Sequence, residues 1–205
     1  MISADHAWEG VMAKRKTVKT VHRLKVTLRQ VEPPVWRRIE VASEMTLSTL
    51  AGVLEGAMGW HGGHLHAFDI DGVSYALPDG EGFGFRRTAD ERRAKLGGVL
   101  PAATPAMRWD YDFGDGWEHD VVVEAIEPRQ AGSTPPVCIG GGRACPPEDC
   151  GGPWGYEELL AALADPTHER HEEFSEWLPE GFDPEAFDIA GATEMMRRVG
   201  LHPEW

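Results

Sequence analysis

Between residues 22 and 30 apolar and polar side chains alternate. His22, Leu24, Val26 and Leu28 fall on one side, and Arg23, Lys25, Thr27 and Arg29 on the other. A period of two marks a half-buried strand. Pro33-Pro34 ends it, because proline donates no ladder hydrogen bond. A shorter strand is expected over 36–41, with Arg37 and Arg38 on opposite faces. The period then lengthens: Leu47, Leu50, Ala51, Leu54, Ala57 and Met58 repeat at helical spacing behind the N-cap residue Thr46, and Gly59 closes the helix. Strands over 65–70 and 73–77 flank Asp71-Gly72, a two-residue hairpin signal. Met107, Trp109, Tyr111 and Phe113 alternate with Arg108, Asp110 and Asp112. The turn Gly114-Asp115-Gly116 joins that strand to another over 117–126.

Residues 77–95 and 128–153 are rich in glycine and proline and read as irregular chain. Helical segments follow at 154–164, 167–178 and 192–199, punctuated by proline at 153, 166, 179 and 184. Strands first and helices last predict an α+β fold: a mostly antiparallel sheet, one main packed helix and a C-terminal helical cap. The chain divides into a flexible basic tail (1–19), one domain (20–190), and a short C-terminal helix and tail (191–205). Trp36, Leu47, Leu50, Leu54, Phe68, Trp109, Tyr111, Trp117, Val121 and Leu159 are the expected core.

Charge narrows the partners. The net charge is −14 over 205 residues. Residues 1–38 hold nine Lys/Arg against three Asp/Glu, and residues 148–205 hold three against fifteen. An acidic body repels phosphate backbones, so duplex nucleic acid is not an expected partner; only Lys14-Arg15-Lys16 and Lys19 offer a small basic arm. No apolar run approaches the ~18 residues of a membrane helix. The first twenty residues lack a secretory apolar segment, so no membrane association and a cytoplasmic location are expected.

Three patterns carry candidate chemistry. Cys138-x6-Cys145-x4-Cys150 offers three thiolates in a core-poor loop, and zinc wants four ligands in a tetrahedron. His119 is the expected fourth, since strand alternation turns it inward with Trp117, Val121 and Val123; Asp149 is a lesser choice. The alternatives are inert buried cysteines, or one disulfide with a free thiol, and a plain core histidine at 119. His64-x-His66 places two imidazoles on one strand face with Phe68 and Ile70. With Asp112 and Asp115 they spell an open metal site of catalytic type. The competing reading makes both rings neutral and structural, packed against the apolar face of the 47–58 helix. Trp36-Arg37-Arg38 suits either an anion or internal ion pairs, and the acidic body favours the latter. Asp112-Phe113-Gly114 lacks the other kinase motifs, and the glycines at 80, 82 and 84 lack dinucleotide spacing.

The strings PPVWRR (33–38), GWHGGHLHAFDIDG (59–72), YDFGDGWEHDV (111–121), CPPEDCGGPWGYEELL (145–160), DPTHERHEEFSEWL (165–178) and FDPEAFD (182–188) together resemble the plasmid pRiA4b Orf-three-like family over roughly residues 20–190. The resemblance implies a compact α+β fold with a β-grasp-like sheet, met in bacterial and mobile-element contexts, and no particular activity. The expected function is a binding or interaction module for a protein partner, carrying structural zinc on Cys138, Cys145, Cys150 and His119. The alternative is a metal-dependent hydrolase or nuclease built on His64, His66, Asp112 and Asp115.

Overall fold

The alternation at the start of the domain becomes strand β1 (Thr20–Leu28), which lies between two partners. Strand β2 (Trp36–Ala42) pairs with it on one side and β7 (Trp117–Pro128) on the other, both antiparallel. The structure, a computed structural model, describes residues 18–78 and 88–200. The basic cluster Lys14-Arg15-Lys16 therefore lies outside the described residues, as do 79–87 of the expected loop and 201–205.

The sheet is completed by β3 (His66–Ile70), β4 (Val73–Ala76), β5 (Thr88–Asp90), β6 (Ala106–Tyr111) and β8 (Val137–Gly142). Its eight strands run in the order β5-β4-β3-β6-β7-β1-β2-β8. Among the described strands only β4 and β5 pair in parallel. Asp71 and Gly72 turn the β3–β4 hairpin with positive φ, 49° and 76°, as a primed two-residue turn requires. Strand β8 falls inside the stretch that reads as irregular from sequence. It has no apolar alternation to betray it, being Val-Cys-Ile-Gly-Gly-Gly, and it exists because β2 offers an unpaired edge.

One face of the sheet is apolar. Leu24, Val26, Ile39, Phe68, Trp109, Trp117 and Val121 are buried there under helix α1 (Leu47–Met58). Thr46 caps α1, accepting from the Thr49 N–H at 3.2 Å, and Gly59 ends it in the left-handed region. The opposite face is charged. Arg23 pairs with Glu40 at 2.9 Å, Arg29 with Glu118 at 2.9 Å, and Arg38 grips Glu124 with two bonds of 2.6 and 2.8 Å. Trp36, an expected core residue, belongs to this face instead. Its ring is partly exposed and lies under Lys25 and Arg38.

Helix α1 is buried nearly all round, because a second helix closes over it. That helix is α5 (Ile189–Gly200), so the expected boundary at 190 falls within its first turn. Gly52 and Gly56 let the two backbones touch: a Cβ on Gly56 would sit 2.7 Å from the Met195 carbonyl. Helices α3 (Gly152–Ala164) and α4 (His171–Trp177) complete the C-terminal cap, and one short turn, α2 (Leu96–Val99), precedes β6.

Candidate functional site

Three loops meet at one end of the sheet: the segment before β3, the β6–β7 turn, and the β8–α3 connection. Trp60, buried and stacked on Tyr111 at 4.7 Å, donates its indole N–H to the Pro146 carbonyl at 2.9 Å. The Tyr111 hydroxyl donates to Glu148 at 2.9 Å, and the backbone N–H of His61 donates to the other oxygen of Glu148. Asp115 accepts from the Gly151 N–H at 3.1 Å. Gly152 follows with φ of 70°, and a Cβ there would overlap the Asp115 carbonyl, so only glycine lets this connection seat on the turn.

The junction gathers His64, Asp112 and Asp149. His64 Nδ1 lies 3.2 Å from Asp112 Oδ2, and its Nε2 lies 3.7 Å from Asp149 Oδ1. Asp112 spends its other oxygen on the N–H groups of Gly114 and Asp115, which fixes the carboxylate in place. One ligand atom from each of these three residues lies within 4.8 Å of the others, and no other His, Cys, Asp or Glu trio among the described residues does so. The site is graded in exposure: 12 % for the Asp112 side chain, 30 % for His64 and 76 % for Asp149.

His66 follows a different course. Its Nε2 sits 3.1 Å from Glu91, and its Nδ1 sits 3.8 Å from Glu55. The apolar α1 surface expected opposite His66 therefore carries a carboxylate at that point. Glu55 is the one charged residue of α1, and its side chain is only 5 % exposed. Burial raises its pKa, His66 opposing, and its Oε2 has no hydrogen-bond partner. His66 is thus committed to Glu55 and Glu91, and Asp115 to Gly151. His64, His66, Asp112 and Asp115 do not converge as one set; Asp149 joins His64 and Asp112 instead.

Sequence reasoning misses Glu55, Glu91 and Glu148. Glu55 leaves a trace, a lone charge in an apolar helical run. Glu91 leaves none, since its burial depends on where the chain before α2 docks.

The cysteines and His119 are not members of that trio, although Cys150 directly follows Asp149. Cys138 is buried on β8, its thiol donating to the Gly140 carbonyl at 3.4 Å. Cys145 and Cys150 bracket the β8–α3 connection and are partly buried. Burial holds all three thiols protonated, raising Cys150 to about 12. His119 sits in an aromatic cage, 4.6 Å from Trp109 and 5.5 Å from Trp60, with Nδ1 3.1 Å from the Trp109 carbonyl. Burial lowers its pKa to about 3, and its Nε2 has no partner. In this arrangement the three thiols and His119 do not gather around one point. Arg37 is buried beside Cys138 and Cys145. It donates to the carbonyls of Ala57, Trp36 and Gly142 and lies over Phe187, so it is neither an open anion site nor a salt bridge.

Among the described residues, no helix is long and apolar enough to cross a membrane. Comparison with known proteins gives relatives without an assigned activity. The chain is 47 % identical over 160 residues, 78 % of its own length and 81 % of the relative's, to the uncharacterized protein y4hQ of Sinorhizobium fredii. The crystal structure of MM3350, a protein of unknown function from Methanosarcina mazei, matches with a TM-score of 0.77 at 35 % identity, covering 85 % of this chain and 98 % of that one. The family described as plasmid pRiA4b ORF-3-like protein matches residues 20–191. The chain belongs to the plasmid pRiA4b ORF-3-like protein family.

Proposed function

We propose that the protein is a cytoplasmic, bacterial or mobile-element-borne interaction module that takes a basic protein partner on its loop junction. The observation that carries this reading is Trp154. It stands 80 % exposed in the first turn of α3, directly after the connection that Trp60, Tyr111 and Asp115 anchor. A large aromatic held out on a fixed support is the usual anchor of a protein interface. Leu65, 56 % exposed beside His64, adds apolar area. Asp112, Asp115, Glu148 and Asp149 line the same junction, so a partner with a cationic rim complements it. In this reading α1 laid across the sheet is a β-grasp-like frame that presents the loops.

Zinc on Cys138, Cys145, Cys150 and His119 would clip the β8–α3 connection, but it requires Cys138 to leave Gly140 and His119 to turn from its cage. About one zinc ion per chain in protein purified without a histidine tag, lost in Cys145→Ser, supports the clip. Content near zero removes zinc from the reading. A hydrolase on His64, His66, Asp112 and Asp115 is disfavoured by the commitments of His66 and Asp115.

The partner is tested by capture from cells with the wild-type chain and with Trp154→Ala, followed by titration of the purified captured protein. Micromolar or tighter binding that weakens about tenfold or more in Trp154→Ala supports the proposal. Equal binding by both chains overturns it.

A further inference from the structure

Six carboxylates crowd the junction and the interior behind it: Asp112, Asp115, Asp149, Glu148, Glu55 and Glu91. Their ion-pair partners among the described residues are histidines only: His64 for Asp112 and Asp149, His61 for Glu148, and His66 for Glu55 and Glu91. The carboxylates outnumber the imidazoles that face them. Glu55, buried against His66, leaves its Oε2 without a hydrogen-bond partner. A half-buried site with unmet negative charge favours a cation.

We infer that His64, Asp112 and Asp149 form a divalent-cation site for a first-row ion of the manganese-to-zinc class. The donor set selects the ion. Magnesium and calcium prefer all-oxygen shells, whereas an imidazole nitrogen suits manganese through zinc. Ligand atoms within 4.8 Å of one another need only small side-chain rotations to surround an ion at about 2.0–2.2 Å. The two aspartates neutralise the ion's charge, and the exposed Asp149 side leaves positions for water or for an oxygen of a bound partner. Asp112 is already held by its turn, so His64 and the exposed Asp149 make the adjustment. The site stands independently of whether Trp154 takes a partner.

The test uses full-length untagged protein, stripped with chelator and dialysed, titrated calorimetrically with manganese, zinc and magnesium chlorides in turn. Manganese is expected to bind at about one ion per chain, zinc at one here besides any that the cysteines take, and magnesium at least tenfold more weakly than manganese. Asp149→Asn and His64→Gln should each weaken manganese at least tenfold, while Cys145→Ser leaves it unchanged. Asp149 is exposed with φ of 60°, a conformation asparagine also tolerates, so unfolding of the ion-free Asp149→Asn chain should match the wild type. No manganese binding at millimolar concentration overturns the inference. So does manganese affinity unchanged in both variants, or manganese binding lost in Cys145→Ser but kept in His64→Gln, which moves the ion to the cysteine connection.

Discussion

The indole N–H of Trp60 ends on the carbonyl of Pro146, 2.9 Å away and 86 residues along the chain. A side chain of the aromatic core thereby carries the backbone of a surface connection. The β8–α3 connection is rich in proline and glycine, has little apolar surface of its own, and takes its order from such bonds.

Trp60→Phe keeps a ring but removes the donor, leaves the Pro146 carbonyl without its partner and opens space beside Trp109. A loss of about 2–4 kcal/mol is expected in urea denaturation. Hydrogen exchange should accelerate at 148–151 more than in β1.

Gly56→Ala sets two effects against each other. Alanine gains about 1 kcal/mol of helix propensity, but its Cβ would meet the Met195 backbone, which cannot rotate away. Overlap should win, with a net loss of about 1–3 kcal/mol. Gly98→Ala, where nothing lies within 4 Å, is the control and should be neutral or slightly stabilising in thermal unfolding.

His119 gives the fold an acid-side weakness. The folded chain keeps it neutral down to about pH 3, whereas an unfolded chain protonates it near 6.5. Above 6.5 the ring is neutral in both states and contributes no slope. Below it the unfolded state binds a proton that the folded state refuses, so stability falls as pH drops, by up to about 1.4 kcal/mol per pH unit. His22, lowered by burial despite its bond to the Leu100 carbonyl, acts in the same direction. Denaturation from pH 6.5 to 4.5 should show a slope about 1 kcal/mol per unit shallower in His119→Phe than in the wild type.

The thiols should be sluggish. With Cys138 buried and all three held protonated, iodoacetamide at pH 8 should label the native chain slowly and the denatured chain at least tenfold faster. Rapid native labelling of Cys150 would show that burial does not govern its reactivity.

Local chemistry made part of this fold legible. Helix α1 is readable end to end because Thr46 and Gly59 are caps that act on neighbouring residues, and the Asp71-Gly72 turn is equally local. Strand β8 is not, since its pairing comes from the free edge of β2 and its glycines lack a period. Trp36 misleads because an aromatic beside strand residues suggests core, whereas two cations cover it on the charged face. At the junction the sequence names His64 and Asp112 as candidate ligands, as the alternative to structural histidines. Their third member, Asp149, arrives from a segment whose path is set by Trp60, Tyr111 and the tight seat of Gly152, all long-range relations. The commitment of His66 follows from Glu55 and Glu91, which no short-range pattern connects to it.

The glycine contact between α1 and α5 bears on synthesis as well as stability. Helix α1 can form early on the ribosome, but the surface bearing Gly52 and Gly56 stays bare until residues 189–200 have left the exit tunnel. A stall or nick before that point leaves an apolar helix face open to chaperones and proteases, so cells carrying a truncated gene should accumulate little of the product.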